Sequence, residues 1–280
     1  MTDQLILPIV LETAPAMKRI LPGIPTTIRF SGGSIYALNF SSRSGSNKLA
    51  IQTDEQAREA YLVELLSMSA PSPSGAITCT IRCSDRIALT TPPELNADQE
   101  FLVGRFSIYK DDISDKDRMC DLLVQIRSEL ETQFSIVGQS GKTRLLSYLE
   151  TIPAFQSTER QFFTSPDLSH IRQLLSTNYS HFDRLSFLLM SVIFISANAS
   201  AVQGLVFGKS TLYRLEAIRA ALSHKQSSVL LLDIWERENL SLRSQSTSET
   251  FLRGNSPLSA IILLALALFF LLLKGNGYLG

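Results

Sequence analysis

Residues 77–83 read ITCTIRC, and the fold class follows from comparing this stretch with what comes later in the chain. Apolar side chains occupy every second position, with threonine or arginine between them. A period of two residues is typical of a β-strand that buries one face. The stretch therefore predicts a strand with Cys79 and Cys83 on the same buried face.

Other strand signals surround this stretch. Residues 26–30 and 35–40 flank the sequence SGGS at 31–34, and this pattern predicts a β-hairpin. Residues 101–109 predict another strand. The N-terminal part of the chain is therefore expected to be rich in β-structure.

Residues 54–68 allow two interpretations. Thr53 and Gln56 have the spacing of a capping box, which favours a helix over this segment. The alternative is a strand that leads into the proline- and glycine-containing turn at 71–75. The helix is the preferred prediction.

After residue 109 the period becomes helical. Ser114 is a candidate N-cap with Asp117 three residues later, which predicts an amphipathic helix over residues 115–133. Its apolar positions have helical spacing: Met119, Leu122, Leu123, Ile126 and Leu130.

Further helices are predicted towards the C-terminus. Ser165 and Pro166 form an N-cap and a first-turn proline before a helix over residues 168–177. Residues 182–207 are mostly apolar or small, and residues 212–223 carry one apolar stripe. We expect these segments to form a helical bundle, although residues 185–207 are apolar enough to raise the question of a membrane span.

The patterns together predict an α+β fold, in which an N-terminal β-rich region is followed by a helical unit and a single C-terminal transmembrane helix. The expected divisions are a β-rich region with one helix at 1–112, a helical unit at 113–240, a flexible tether at 241–256, a transmembrane anchor at 257–274 and a short tail at 275–280.

The anchor prediction depends on residues 258–273, LSAIILLALALFFLLL, which contain no charge. Twelve of these sixteen residues are Leu, Ile or Phe, and they favour the bilayer over water by about 5 kcal/mol. A helix of this length spans about 24 Å, and snorkelling of the next lysine extends it towards the thickness of a bilayer. The residues expected to contact lipid or its interface are Leu258, Ile261, Ile262, Leu264, Leu268, Phe269, Phe270, Leu273 and Lys274.

Composition restricts the partners. Lys and Arg total 26, as do Asp and Glu, so there is no net charge to attract nucleic acid. The chain has three cysteines, which are too few for a disulfide framework, and their odd number would leave one thiol unpaired. We therefore expect the protein to lie in a reducing compartment. We therefore expect a single-pass membrane protein whose N-terminal body faces the cytosol, with the lipid bilayer as one partner and no nucleic-acid partner.

One stretch resembles a phosphate-binding loop. Residues 134–143 read FSIVGQSGKT, in which Gly138, Gly141, Lys142 and Thr143 are candidate phosphate and Mg²⁺ contacts. Asp233, after the apolar residues 229–232, is a candidate partner of the Mg²⁺ shell. The first glycine of the pattern is displaced, however, and Ile136 occupies its position.

Metal and acid–base motifs are weaker. The three histidines have no ligand-like spacing, and the acidic residues between 111 and 117 lack the glycine and final glutamate of a calcium loop. That acidic cluster is interpreted as a solvated helix entrance. No metal and no cofactor are predicted.

The leading functional hypothesis is a tail-anchored, non-enzymatic adaptor or scaffold that recruits protein partners, or its own copies, at a membrane surface. One alternative is a membrane-tethered nucleoside triphosphatase that uses the phosphate-loop residues. A second alternative is a protein that disrupts or remodels membranes by inserting residues 187–207 as well as the C-terminal tail.

Overall fold

A computed structural model describes most of the chain up to residue 223. The described residues belong to one compact unit, Met1–Leu232. They are residues 4–12, 20–43, 45–53, 57–98, 100–111, 115–177, 180–194, 199–208 and 210–223.

The described residues form a mixed α+β fold in which a β-rich sheet is followed by helices. The strands are β1 (Leu5–Leu11), β2 (Pro25–Phe30), β3 (Lys48–Gln52), β4 (Glu59–Met68), β5 (Ile77–Leu89), β6 (Glu94–Leu95) and β7 (Leu102–Ile108). The helices are α1 (Ile35–Arg43), α2 (Lys116–Glu150), α3 (Ser157–Thr164), α4 (Leu168–Thr177), α5 (Ser180–Ile193), α6 (Ala199–Val206) and α7 (Thr211–Ser223).

The sheet closes on itself because β5 is long enough to pair with three strands, β2, β4 and β7. Its thirteen residues pair with β4 along most of their length, and Ile87 and Leu89 at its end also pair with β7. The chain of pairings from β5 through β4, β3, β1 and β7 therefore returns to β5, while β2 and β6 remain at the edges. Register shifts near Leu62 and Leu65 in β4 allow the bending that closure requires.

The predicted strand at residues 77–83 is confirmed as the first half of β5, and the strand predicted at 101–109 is confirmed as β7. Cys79 and Cys83 are both fully buried, as the alternation indicates. The closed sheet encloses a core of small and branched side chains: Leu7, Ile9, Ala50, Ala60, Leu62, Ile87 and Phe106.

The predicted hairpin is wrong in its second half. Residues 26–30 lie in strand β2, but residues 35–43 form helix α1. The buried members of this segment, Ala37, Leu38 and Ser41, have helical spacing. Because α1 packs against the parallel pair β1 and β3, the chain gains more from covering their outer face than from extending the sheet.

The preferred helix at residues 54–68 is also wrong, and the alternative is correct. Glu59–Met68 forms strand β4, while the capping-box segment at 54–56 lies outside the described residues. Four consecutive residues of β4, from Ala60 to Val63, are buried, because this strand is covered on both faces. Such a continuous buried run does not show the period of two that identifies a half-exposed strand.

The helical predictions after residue 109 are confirmed. Helix α2 begins as predicted but continues to Glu150, and the side chain of Asp115 caps it by accepting from the Arg118 N–H at 3.3 Å. Ser114, the predicted N-cap, lies outside the described residues. The helices predicted at 168–177 and 212–223 correspond to α4 and α7.

Buried arginine and histidine side chains tie the helices together. Arg127 of α2 is fully buried and donates to the carbonyl oxygens of Phe162 and Ser165, which lie in the last turn and at the C-cap of α3. His181 Nδ1 lies 2.7 Å from Oε1 of the buried Glu159, which connects α5 to α3. These contacts satisfy carbonyl and carboxylate groups that would otherwise be buried without partners.

In the described part of the chain, no helix is both long enough and apolar enough to cross a bilayer. Within residues 185–207, where a second span was considered, α5 ends at Ile193 and α6 begins at Ala199. The predicted tether and the predicted anchor at 257–274 lie outside the described residues.

Adding one methyl group at Gly104 should destabilise the closed sheet. A Cβ at this position would lie within 2.9 Å of the side chains of Leu89, Phe106 and Ile9. We expect Gly104→Ala to lower the free energy of unfolding by about 1–3 kcal/mol, measured by urea denaturation. Gly33→Ala is the matched control, because a Cβ there meets nothing within 4 Å. Equal stability of the two variants would contradict the packing described here.

The buried thiols should be unreactive in the folded protein. Burial raises the pKa of Cys79 to about 12, and it also raises the pKa of Cys83 and Cys120. We expect a thiol reagent at mildly alkaline pH to label none of the three before global unfolding, and all three in urea, as counted by mass spectrometry. Fast labelling of Cys79 or Cys83 in the folded chain would show that β5 is not buried in this way.

Candidate functional site

The most distinctive surface feature of the β-rich region is a group of exposed large apolar side chains. Tyr36 and Phe40 lie one turn apart on α1 and are 51% and 50% exposed. Leu95 on the edge strand β6 is 57% exposed. Exposed apolar side chains are common individually, but a contiguous group marks an interaction surface.

Contacts within the fold connect these side chains. The ring centroids of Phe40 and Phe101 are 5.0 Å apart, with the planes tilted by 45°. Phe101 is followed by Leu102, which pairs directly with Leu95 across strands β7 and β6. Phe101 itself is buried, so the exposed side chains Tyr36 and Phe40 on one side and Leu95 on the other flank the turn that carries it; we call Tyr36, Phe40, Phe101, Leu102 and Leu95 together the aromatic surface.

The turn that carries Phe101 is held in a fixed conformation by Asn96. The Asn96 side chain accepts hydrogen bonds from the backbone N–H groups of Glu100 and Phe101, at 2.7 and 3.0 Å. The Asn96 N–H donates to the carbonyl of Phe101 at 2.9 Å. The turn at the sheet edge is thus preorganised. Its fixed conformation lowers the entropic cost of binding at the aromatic surface.

A second feature, a network of four charges, joins the sheet to the helices. Arg86 lies on β5, Asp111 follows β7, Asp183 lies on α5 and Arg214 lies on the first turn of α7. Arg86 Nη1 donates to Asp111 Oδ1 at 2.8 Å, and Arg214 donates to both carboxylates. The side chains of the two arginines and Asp111 are at most 6% exposed. Elements that are remote in sequence therefore meet through paired charges.

Neutral groups complete the network. Arg86 Nη1 also donates to the carbonyl of Val206 at 2.8 Å, which lies at the negative end of the α6 dipole. Arg214 Nε donates to Ser186 Oγ at 3.1 Å. The guanidinium carbons of Arg86 and Arg214 lie 5.2 and 4.5 Å from the ring centroid of Phe187, within cation–π range.

The two carboxylates have opposite pKa shifts. Burial alone would raise the pKa of Asp111, but hydrogen bonds from Arg86 and Arg214 hold it below its ordinary value of 3.8. Burial raises the pKa of Asp183 to about 6, although the positive charges of the same two arginines oppose this shift. Asp183 therefore takes up a proton first as the pH falls, and Asp111 stays ionised.

The network has a structural role, because it connects the sheet to the helices. Both guanidinium groups keep their charge at all ordinary pH values, and each is paired with a carboxylate. Among the described residues, no group of three or more His, Cys, Asp and Glu side chains could hold a metal ion. The side chain of Asp111 is buried in this network. The prediction that the acidic residues between 111 and 117 are solvated is therefore wrong for Asp111.

The candidate phosphate-loop residues do not form a loop. Gly138 is a kink with φ 74° inside α2, and Gly141, Lys142 and Thr143 lie in the helical turns that follow. Lys142 Nζ forms an ion pair with Glu131 at 3.1 Å across the kink.

In a phosphate-binding loop, backbone N–H groups and the threonine hydroxyl would contact the phosphate and Mg²⁺. Here several of these groups are engaged in hydrogen bonds within α2. Thr143 Oγ1 donates to the carbonyl of Gln139 at 2.9 Å, and residues 134–137, where the motif requires a strand, belong to the same helix. Asp233 lies outside the described residues. Nucleotide binding stays a prediction. Residues 134–143 do not have the order of strand, loop and helix that a phosphate-binding loop requires.

Sequence reasoning found none of the residues in the aromatic surface or the charge network as functional candidates. A strand over residues 35–40 would place Tyr36, Leu38 and Phe40 on one face, whereas helix α1 separates the buried Leu38 from the exposed Tyr36 and Phe40. Arg86 and Arg214 look like ordinary surface residues in sequence. A cation within an otherwise apolar stretch is the only local signal that such a residue is buried.

The fold, but not the sequence, is similar to that of known proteins. No protein-family model matches the chain, and no curated protein matches it significantly. The N-terminal domain of the Mycobacterium avium complex Lon protease matches with a TM-score of 0.52 and 12% identity, over 79% of this chain and 99% of that one. A Lon N-terminal domain protein from Xanthomonas campestris gives a TM-score of 0.32 and 16% identity over 62% and 98% of the two chains, which is too low to support an argument.

Removing one member of the charge network should be costly. We expect Asp111→Asn to lower the free energy of unfolding at pH 7 by about 3–5 kcal/mol, because both arginines then share one carboxylate. Asp98→Asn, at an exposed position, should change it by less than about 0.5 kcal/mol.

The pH dependence gives a second readout of the same variant. Because the pKa of Asp111 is lowered in the folded state, its stabilisation is present above the ordinary value of 3.8 and is lost as the pH falls below it. The difference between Asp111→Asn and the unmodified protein should therefore shrink below about pH 4 in urea titrations. A difference that is constant with pH would contradict the ionised state assigned to Asp111.

Proposed function

We propose that this protein is a membrane-anchored adaptor, in which a non-enzymatic α+β body recruits a protein partner through the aromatic surface. In this proposal residues 257–274 cross the bilayer, and the body lies on the cytosolic side. The bilayer and the partner protein are the two binding partners.

The observation that carries the proposal is the exposure of Tyr36 and Phe40. The core does not require them, since Ala37 and Leu38 provide the buried face of α1. Two aromatic side chains that are each about half exposed, beside a preorganised turn, favour protein binding, because aromatic residues are enriched at the centres of protein interfaces.

Two further arguments support the proposal. The matched fold is the N-terminal domain of a protease, which is an enzyme that acts on proteins. By analogy with that fold, we expect this architecture also to contact proteins. The analogy assigns no role to any individual residue. The uncharged run at 258–273 supports the anchor through its transfer free energy.

The anchor can be tested by truncation. We expect the full chain to stay with membranes after alkaline carbonate washing, whereas a chain that ends at Ser256 should move to the supernatant, because it lacks the apolar run. Immunoblotting of both fractions measures the distribution. If the shortened chain stays in the pellet, residues 257–274 are not the anchor.

Recruitment can be tested on the same membranes. Photo-crosslinking of the full chain, followed by mass spectrometry, should identify partner proteins that are lost from the double variant Tyr36→Ser, Phe40→Ser. Tyr213→Ser is the matched control, since Tyr213 is 56% exposed on α7, outside the aromatic surface. If the full chain crosslinks to no protein, the adaptor proposal fails.

A further inference from the structure

The aromatic surface is accompanied by negative charge. Glu94 precedes Leu95, and Asp98 and Glu100 lie in the turn before Phe101. All three carboxylates are exposed, and none of them forms an ion pair with another described residue. The sheet edge that carries the aromatic surface therefore presents three carboxylates without ion pairs to a partner.

Several carboxylates on the helices are paired with arginines: Glu216 with Arg118, Asp121 with Arg172 and Glu150 with Arg160. Residues 94–100, in contrast, contain Glu94, Asp98 and Glu100 but no lysine or arginine, so this segment is locally negative although the whole chain has equal numbers of acidic and basic residues.

We propose that the aromatic surface binds an extended segment of a partner protein in which a large apolar side chain is flanked by lysine or arginine. This inference rests on the proposed function and specifies the chemistry of the partner. The apolar side chain covers Tyr36 and Phe40, and the cationic side chains meet Glu94, Asp98 and Glu100.

The extended conformation follows from the position of β6. Among the strands that the structure describes, β6 pairs only with β7 and ends the sheet, which leaves its outer edge available to a further strand. Addition of a strand uses backbone hydrogen bonds for affinity and side chains for specificity. With only two residues in β6, the backbone contribution is small, and the apolar and charged contacts determine which segment binds.

The charges also make a prediction about salt. Interactions between exposed charges are screened over about 8 Å at physiological ionic strength. The affinity should therefore fall as salt is added, whereas an interface made only of apolar contacts would be insensitive to salt or strengthened by it. Salt dependence thus separates the proposed partner from a purely apolar one.

The experiment uses the full chain in a non-ionic detergent and a short fluorescein-labelled peptide that carries phenylalanines flanked by lysines. Two matched peptides replace the lysines with glutamates or the phenylalanines with glycines. Fluorescence anisotropy measures binding, and detergent alone serves as the blank.

We expect only the first peptide to bind, and added salt should weaken its binding. The double variant Tyr36→Ser, Phe40→Ser should lower the affinity at least about tenfold, as for interface hot spots. The triple variant Glu94→Gln, Asp98→Asn, Glu100→Gln should lower the affinity and remove its salt dependence. Tyr213→Ser should bind like the unmodified protein.

Three outcomes would overturn the inference. The peptides could bind equally or not at all, or the surface variants could bind as well as Tyr213→Ser. Light scattering could show self-association that the double variant abolishes, which would assign the surface to a second copy. If partners are lost from the double variant but the lysine-containing peptide does not bind, the chemical inference fails and recruitment through the aromatic surface stands; if crosslinked partners persist in the double variant, or no partner is crosslinked at all, the proposed function itself fails.

Discussion

Four charged side chains meet at the seam between the closed sheet and the helices, and three of them are buried there while Asp183 is partly exposed. A guanidinium group that is fully buried without a carboxylate costs several kcal/mol, so Arg86 and Arg214 are tolerated only because Asp111 and Asp183 lie against them. These four residues come from β5, from the segment after β7, from α5 and from α7. The position of the helices on the sheet therefore depends on this network.

The elements that carry the aromatic surface, α1, β6 and the turn before β7, contribute no residue to this network. The sheet closes through the pairing of β5 with β7, and α1 packs against β1 and β3 with Ala37 and Leu38 buried. The remaining face of α1 presents Tyr36 and Phe40 to solvent. A rigid sheet with a fixed turn at Asn96 is a suitable support for a binding surface, because little order has to be gained on association.

Local periodicity predicted much of the fold. The alternation at 77–83 identified β5, helical spacing identified α2 and α7, and capping residues identified α4. The two errors have physical causes. Strand β4 is buried on both faces, so its sequence shows no alternation, and the short segment of α1 has apolar residues that fit both periods. The aromatic surface and the charge network were not predicted, because each is assembled from residues that are distant in sequence.

The sequence by itself determined the α+β class, the change of period near residue 109, the burial of Cys79 and Cys83 and the apolar character of residues 258–273. These properties depend on neighbouring residues only. The tertiary structure decided that β5 closes the sheet, that α1 covers it, that Asp111 is buried and that Lys142 is paired within a helix. Burial, pairing and exposure depend on which distant segments come into contact, and local sequence does not contain that information.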